Sequence, residues 1–166
     1  MKKILLAFAA VVFLASCGST SKTGSTGSTG KADRSWSYEI ESLGVGAEGT
    51  YAIRVWSYYR NTQLPLETAK KNAIHGVLFK GVPAGAGAVA QPPMVTAEQH
   101  QANTVFFDSF FNSDYQRFIN SVAVGGKKII KSGRQYKIGY AMTVSKDELR
   151  KYLEQQGIIR GLSTGF

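Results

Sequence analysis

The chain has 166 residues, of which 43% are hydrophobic, and it carries a formal net charge of +9. That length suits one domain with its own core behind an N-terminal export segment. The chain contains one cysteine, which excludes an internal disulfide and a cysteine-based zinc site. Its lysines occur in short pairs such as Lys70-Lys71 and not in a polybasic block, and nucleic acid is not expected as a partner of a chain exported from the cytoplasm.

The N-terminus has the layout of a secretory signal peptide. Residues 1–3 form a positively charged start, and residues 4–14 are mainly apolar but too short to span a bilayer, which needs about 20 residues. The sequence Leu14-Ala15-Ser16-Cys17 resembles the lipobox of bacterial lipoproteins. This resemblance implies cleavage between Ser16 and Cys17 and a lipid anchor on that cysteine. The alternative is a buried N-terminal helix that ends in an ordinary free cysteine.

A flexible tether is predicted to follow the signal peptide of residues 1–16. Residues 17–35 begin with the lipidated cysteine and are rich in glycine, serine and threonine. Such a composition cannot bury enough apolar area to offset the entropy of ordering, so we expect disorder there. A random coil of this length has a root-mean-square reach of about 25 Å. It would hold the domain near a membrane and leave it free to turn.

Residues 36–166 are predicted to form a single α+β domain with a mainly antiparallel sheet and two to three packed helices. Apolar residues alternate around Tyr38–Glu41 and Tyr51–Trp56, which predicts two strands joined by a glycine-rich turn. A helix is expected from Pro65, as its first residue, to Gly81. The proline- and glycine-rich segment 82–95 is predicted to be a loop.

The second half of the domain is predicted to contain two helices and two strands. Thr96 with Gln99, and Ser145 with Glu148, match the capping box that starts a helix. Between these helices, Val122 and Val124 are expected to start a strand, and the longest alternating run extends over Tyr136, Ile138, Tyr140, Met142 and Val144. Gly125-Gly126 is expected to form a two-residue turn, and Gly157 to end the last helix. The predicted order is ββ-α-α-ββ-α, an α+β arrangement.

Two glycine motifs in the chain lack the structural context of the sites they resemble. Residues 44–49 match G-x-G-x-x-G, but a strand follows them instead of the helix whose N-terminus would face a pyrophosphate. A hairpin turn is therefore expected. Residues 161–165 match G-x-S-x-G, but the sequence ends at Phe166 with no helix after Ser163. Neither motif predicts a cofactor or a catalytic serine.

The titratable residues also indicate no catalytic or metal site. His75 lies among apolar residues and is expected to be packed and hydrogen-bonded, whereas His100 lies on a polar helical face. Two separated histidines make a poor zinc site, which needs three or four protein ligands. Glu39 and Glu41 share a strand face, as a glycosidase pair can, but nothing in the sequence indicates a cleft. We expect no enzyme activity, no metal and no cofactor.

A cluster of aromatic and aliphatic residues is the predicted partner surface. Four phenylalanines lie at helical spacing, and the C-terminal segment is apolar for a chain end. The alternative for the phenylalanines is core packing; otherwise part of such a cluster stays exposed and marks an interaction site. The residues predicted to contribute to this surface are Phe106, Phe107, Phe110, Phe111, Ile158, Ile159 and Phe166.

Several segments look like known envelope proteins. The segments 74–81 (IHGVLFKG), 106–111 (FFDSFF) and 149–162 (LRKYLEQQGIIRGL) resemble a group of short, largely uncharacterised lipoproteins of Bacteroidota. A helix followed later by a long strand with Tyr-Lys-Ile-Gly at 136–139 is similar to the N-terminal domain of the flagellar-assembly protein FlgT and its small outer-membrane lipoprotein relatives, although segment 82–95 departs from that pattern. The resemblance implies an envelope role and carries over no catalytic residues.

The expected location and function follow from these resemblances. Gly18 after the lipidated cysteine looks like an outer-membrane address, and the absence of acids over residues 19–23 favours the periplasmic face. We expect a non-enzymatic lipoprotein that docks onto a protein partner in an envelope or secretion-type assembly. The alternative is a glycan- or small-ligand-binding lipoprotein that uses loop 82–95 with Tyr58 and Tyr59. That alternative requires a concave aromatic pocket.

Overall fold

A computed structural model describes residues 36–161 of the chain. The predicted signal peptide, Cys17, the tether and Phe166 lie outside the described residues. Ten elements follow one another in the chain: β1 (Tyr38–Val45), β2 (Thr50–Tyr59), α1 (Leu66–Phe79), α2 (Ala97–Ala102), α3 (Thr104–Asn112), a 3-10 helix (Asp114–Phe118), β3 (Ile119–Val122), β4 (Lys128–Ser132), β5 (Gln135–Ser145) and α4 (Lys146–Gln155).

The five strands form one open antiparallel sheet, which confirms the predicted α+β class. The strand order is β1-β2-β5-β3, and β4 also pairs with β5. Apolar side chains at alternate positions of β1, β2 and β5 point to the face that the helices cover. Among them, Ile53, Val55, Ile138 and Val144 are fully buried. The period of two in these strands therefore decides which face becomes the core.

The connection between β3 and β4 differs from the prediction. β3 pairs with Met142 to Val144 of β5, and β4 pairs with Gln135 to Gly139, so the two strands follow one another along the same side of β5. The predicted turn is present one residue earlier, with Val124-Gly125 at its centre, because the Gly126 amide donates to the Ala123 carbonyl at 3.0 Å. It joins two successive segments along one side of β5. The hairpin turn is at Gly133-Arg134, where Gly133 has a φ of 58°.

The helix ends confirm one of the two predicted capping boxes. The Gln99 amide donates to Thr96 Oγ1 at 3.2 Å, and the Thr96 amide donates to Gln99 Oε1 at 2.9 Å. Ser145 makes no side-chain capping bond, and the Asp147 amide in the first turn of α4 donates to the Gly49 carbonyl of the β1–β2 hairpin. Pro65 lies one residue before α1, at the N-cap, and not at its first helical position.

The predicted partner surface is wrong for four of its residues, which lie in the core. Phe107 and Phe110 are 2% and 1% exposed, and Ile158 and Ile159 are 6% and 8% exposed. Phe110 stacks near Phe118 and Tyr152, which fixes α3 against the 3-10 helix and α4. Phe106 and Phe111 are half-buried and pack against the same core.

The buried position of the C-terminal isoleucines has a local cause. α4 ends in a Schellman motif, in which the Ile158 amide donates to the Leu153 carbonyl and the Gly157 amide donates to the Glu154 carbonyl. Gly157 has a φ of 70°, which reverses the chain and brings Ile158 back onto the core. The predicted end of the helix at Gly157 is confirmed.

On the face of the sheet away from the helices, Trp56 lies flat against Gly139 of the neighbouring strand. A Cβ atom added at Gly139 would lie 2.7 Å from the indole ring. The Trp56 Nε1 atom donates to Glu41 at 2.6 Å, so the ring is held from its edge as well. This contact explains why the longest strand contains a glycine at its centre.

We predict that Gly139→Ala lowers the free energy of unfolding by about 1–3 kcal/mol, because the methyl group displaces the Trp56 ring. Backbone entropy alone predicts the opposite sign for this change. Denaturant unfolding measures the difference. Gly85→Ala is the matched control, since its added Cβ would meet Ser42 at an ordinary 3.4 Å. Equal stabilities of both variants would contradict the prediction.

Candidate functional site

A small groove lies beside the β1–β2 hairpin, at one end of the sheet. The hairpin is the glycine motif of residues 44–49, and its turn is closed by Thr50, whose amide and hydroxyl both donate to the Ala47 carbonyl. β2 follows directly, so the expected hairpin turn is confirmed and no helix faces the glycines. Gly44 has a φ of 110° and approaches Ala86 of the loop 82–95.

The loop 82–95 forms the other wall of the groove and is held by its own hydrogen bonds. Val82 and Gln91 exchange two backbone bonds at 3.0 and 2.8 Å, and Gly85 and Ala88 exchange two more at 3.1 and 2.9 Å. Gly85 lies next to Ser42, so the tip of this loop covers part of the outer edge of β1. Covering an edge prevents it from pairing with another chain.

The groove between these walls has a volume of about 200 Å³. That is below the range of roughly 300–1,000 Å³ that is typical of pockets for drug-sized ligands. Val45 and Val89 stand at its rim and are 84% and 78% exposed. The remaining lining consists mainly of small residues with Tyr51 and Lys146. The groove therefore has the size and character to receive one or two apolar side chains.

One charged residue, Lys146, lines the groove among the described residues. Its Nζ atom lies 5.4 Å from the centre of the Tyr51 ring, a cation–π distance. Burial raises the pKa of the Tyr51 hydroxyl, and the nearby Asp147 carboxylate raises it further. Tyr51 therefore stays neutral and acts in this groove as an apolar wall with one hydroxyl.

The structure does not bring together the residues of the alternative ligand site. Tyr58 lies on the outer face of the sheet and donates to Glu39, and Tyr59 lies at the end of β2. The groove contacts the start of β2 at Thr50 and Tyr51. Ala52 is the last groove residue on this strand, so at about 3.3 Å per residue Tyr58 and Tyr59 are roughly 20 and 23 Å away along it. The predicted combination of loop 82–95 with these two tyrosines is wrong.

The two histidines belong to an aromatic cluster on the helical face. His75 stacks on Trp36 with 3.8 Å between ring centres, and its Nδ1 atom lies 2.6 Å from the Tyr38 hydroxyl oxygen. Burial raises the pKa of that hydroxyl well above its usual range. The predicted packed and hydrogen-bonded His75 is confirmed. His100 is half-buried against Phe79, so its helical face is less polar than predicted.

Within residues 36–161, no three histidine, cysteine, aspartate or glutamate side chains are placed to hold a metal ion together. The two strand acids, Glu39 and Glu41, lie on the outer face of the sheet and each has its own cation. Lys137 bonds to Glu39 at 2.5 Å, and Arg54 lies 3.4 Å from Glu41. The hydrogen bond from Lys137 and that from Tyr58 hold the pKa of Glu39 below its ordinary value. A general acid needs the opposite shift.

Two valines are the signal for the groove that the sequence contains. Val45 and Val89 lie inside glycine-rich turns, where a buried position is not expected for a β-branched side chain. An apolar residue at such a position either packs against a neighbouring segment or forms part of an exposed binding surface. What the sequence could not show is that the two turns lie side by side, because that depends on how the loop 82–95 folds over β1.

Comparison with protein families, curated proteins and solved structures finds no match for this chain. Within the described part of the chain, no helix has both the length and the apolar character needed to cross a membrane.

We predict that Glu39→Gln lowers the free energy of unfolding at neutral pH by less than about 1 kcal/mol, because 53% of the Glu39 side chain is exposed to solvent. The folded-state pKa of Glu39 is lowered, so its contribution is present above the ordinary value of 4.5 and is lost as the pH falls below it. The difference between variant and parent should therefore shrink in acid. Urea unfolding across that pH range measures it.

Glu98→Gln is the control for this measurement. Glu98 lies in the first turn of α2 and has no ion pair among the described residues. Its variant should follow the parent closely at every pH. A stability difference for Glu39→Gln that is the same at pH 7 and in acid would show that the ion pair does not cause it.

Proposed function

We propose that this protein is a lipoprotein of the outer membrane, anchored through lipid on Cys17 and facing the periplasm. In this proposal it is a non-enzymatic structural or assembly component. Its domain docks onto a protein of an envelope or secretion-type complex. The N-terminal signal, the lipobox and the resemblance to envelope lipoproteins support the location.

The observation that carries the docking role is the position of the groove relative to the start of the domain. In the sheet, Tyr38 of β1 lies in register with Ser57 of β2, whereas Val45 lies in register with Tyr51. The chain therefore enters the domain at one end of the sheet, and the groove lies at the other. The groove therefore lies at the end of the strands farthest from residue 36, where an anchor joined through residues 17–35 would not obstruct a partner.

The character of the groove favours a protein partner over a glycan or small ligand. Its volume of about 200 Å³ suits one or two side chains, and Tyr51 is its one aromatic lining residue. Two valines at its rim are largely exposed. Burial of a valine side chain at an interface contributes about 1.5 kcal/mol or more. An apolar segment of a partner that fills the groove would cover both.

We predict that Cys17→Ser protein folds but is released from membranes by a salt wash, because its anchor is lost. Fractionation of cells followed by immunoblotting measures the release. Ser19→Ala is the control and should stay with the membrane fraction. Cys17→Ser protein that remained membrane-bound after the wash would place the anchor elsewhere and refute the proposed lipidation.

We predict that Val45→Ser with Val89→Ser reduces crosslinking of the anchored protein to its envelope partner by about tenfold or more, because the partner loses its apolar contact. Crosslinking in cells followed by quantitative mass spectrometry measures the yield. The matched control is Val105→Ser with Val124→Ser, which removes two valines elsewhere that are at least as exposed.

The crosslinking yields of the groove variant and the control variant together show whether the partner binds at the groove. A partner lost in the groove variant and kept in the control supports docking through the groove. Equal yields in both variants would contradict it. A small molecule that stays with the purified parent in native mass spectrometry, and is lost in the groove variant, would favour the ligand-binding alternative.

A further inference from the structure

The positive charge of the domain is concentrated in one stretch of the chain. Residues 115–146 contain seven lysines and arginines and no aspartate or glutamate. The other described residues contain eight lysines and arginines and ten acids. Since residues 119–145 form β3, β4 and β5, one side of the sheet is strongly cationic while the rest of the domain is slightly acidic.

Much of this charge lies on a hairpin at the edge of the sheet, residues 127–137, here named the cationic hairpin. It consists of β4, the Gly133-Arg134 turn and the start of β5. Two of its cations have partners within the domain: Lys127 donates to the Thr62 carbonyl, and Lys137 pairs with Glu39. Lys128, Lys131 and Arg134 make no ion pair within residues 36–161.

The hairpin also exposes two neighbouring isoleucines. All five residues of β4 are exposed, and Ile129 and Ile130 keep 46% and 51% of their surface in contact with solvent. Lysines on an edge strand prevent it from pairing with other chains. This role does not explain the two exposed isoleucines, which lie on opposite faces of the strand. Cations that frame exposed apolar residues are typical of surfaces that bind the membrane interface.

The register of the sheet places this hairpin at the end where the chain enters the domain. Tyr38 of β1 lies in one row with Ser57, Ile138 and Ile129. Three strand spacings separate β1 from β4, or about 14 Å. The hairpin therefore lies at the end of the sheet where the chain enters the domain, and the groove lies at the other end.

We propose that the cationic hairpin binds the anionic phospholipid surface of the membrane that carries the anchor. Lys128, Lys131 and Arg134 contact lipid phosphates, and Ile129 and Ile130 enter the interfacial region. The orientation rests on the proposed lipid anchor, whereas the charge and the exposed isoleucines are properties of the domain itself. The hairpin would add a second contact with the membrane to that of the lipid, and the two together would hold the groove outward.

The test uses the chain from residue 17 with Cys17→Ser, so that no lipid is attached. Its binding is measured by cosedimentation with vesicles of 30% phosphatidylglycerol in phosphatidylcholine. Lys131→Gln with Arg134→Gln should weaken vesicle binding about 30-fold, because each of the two lost cations contributes roughly fivefold to binding at an anionic surface. Added salt should weaken binding of the parent. Ile129→Ser with Ile130→Ser should also weaken it, and vesicles of phosphatidylcholine alone should bind little protein.

The matched control is Lys151→Gln with Arg160→Gln, which removes the same charge from exposed positions outside the hairpin. It should bind within about a factor of two of the parent, because distant charges are screened. Equally weak vesicle binding by both variants would show that only the net charge of the protein matters and would overturn the proposal. Thermal unfolding midpoints equal to that of the parent would exclude misfolding of the variants. Lys128→Gln with Lys131→Gln is a second hairpin variant in case the first is misfolded.

Vesicle binding by the hairpin and anchoring through Cys17 can be tested separately. If vesicle binding depends on the hairpin but Cys17→Ser protein stays on cell membranes after a salt wash, the hairpin proposal is supported and the lipid anchor is refuted. Unchanged vesicle binding by the hairpin variant, with loss of a crosslinked envelope protein in cells, would assign the hairpin to a protein and overturn the proposal. Vesicle binding that does not depend on phosphatidylglycerol would overturn it as well.

Discussion

The pairing of β5 with strands on both of its sides is the constraint on which the rest of the domain depends. β5 pairs with β2 along nearly its whole length, and with β3 and β4 in succession on the other side. Its alternation directs Ile138 and Val144 into the core and leaves Gly139 beneath Trp56 on the open face. Because both strand edges of β5 are used, its register decides where each turn of the sheet lies.

That register separates two surfaces of different character. The groove, with its exposed valines, lies where β1 turns into β2 and β5 passes into α4. The cationic hairpin lies at the opposite end, near the start of β1. Binding of the cationic hairpin to the membrane would therefore direct the apolar groove away from it. The two proposals describe one orientation, although each is tested by variants of its own.

Local patterns predicted most of the elements, and tertiary packing overruled them at identifiable positions. The capping box at Thr96 joins residues three apart in the chain, so the sequence predicted it directly. The same pattern at Ser145 forms no cap, and the Asp147 amide in the first turn of α4 donates to the Gly49 carbonyl of the β1–β2 hairpin. The phenylalanine spacing identified a helix correctly. It could not tell a partner surface from a core, because burial depends on what α1, α4 and the 3-10 helix place against α3.

The sequence by itself determined the α+β class, the long strand of β5, the packed His75, the glycine hairpin and the concentration of positive charge, since each depends on residue type and short-range period. Only the tertiary structure decided that Ile158 returns to the core, that β3 and β4 share one side of β5, and that Val45 and Val89 meet across a groove. These depend on contacts between segments distant in the chain, where loop closure and packing determine which pairs form.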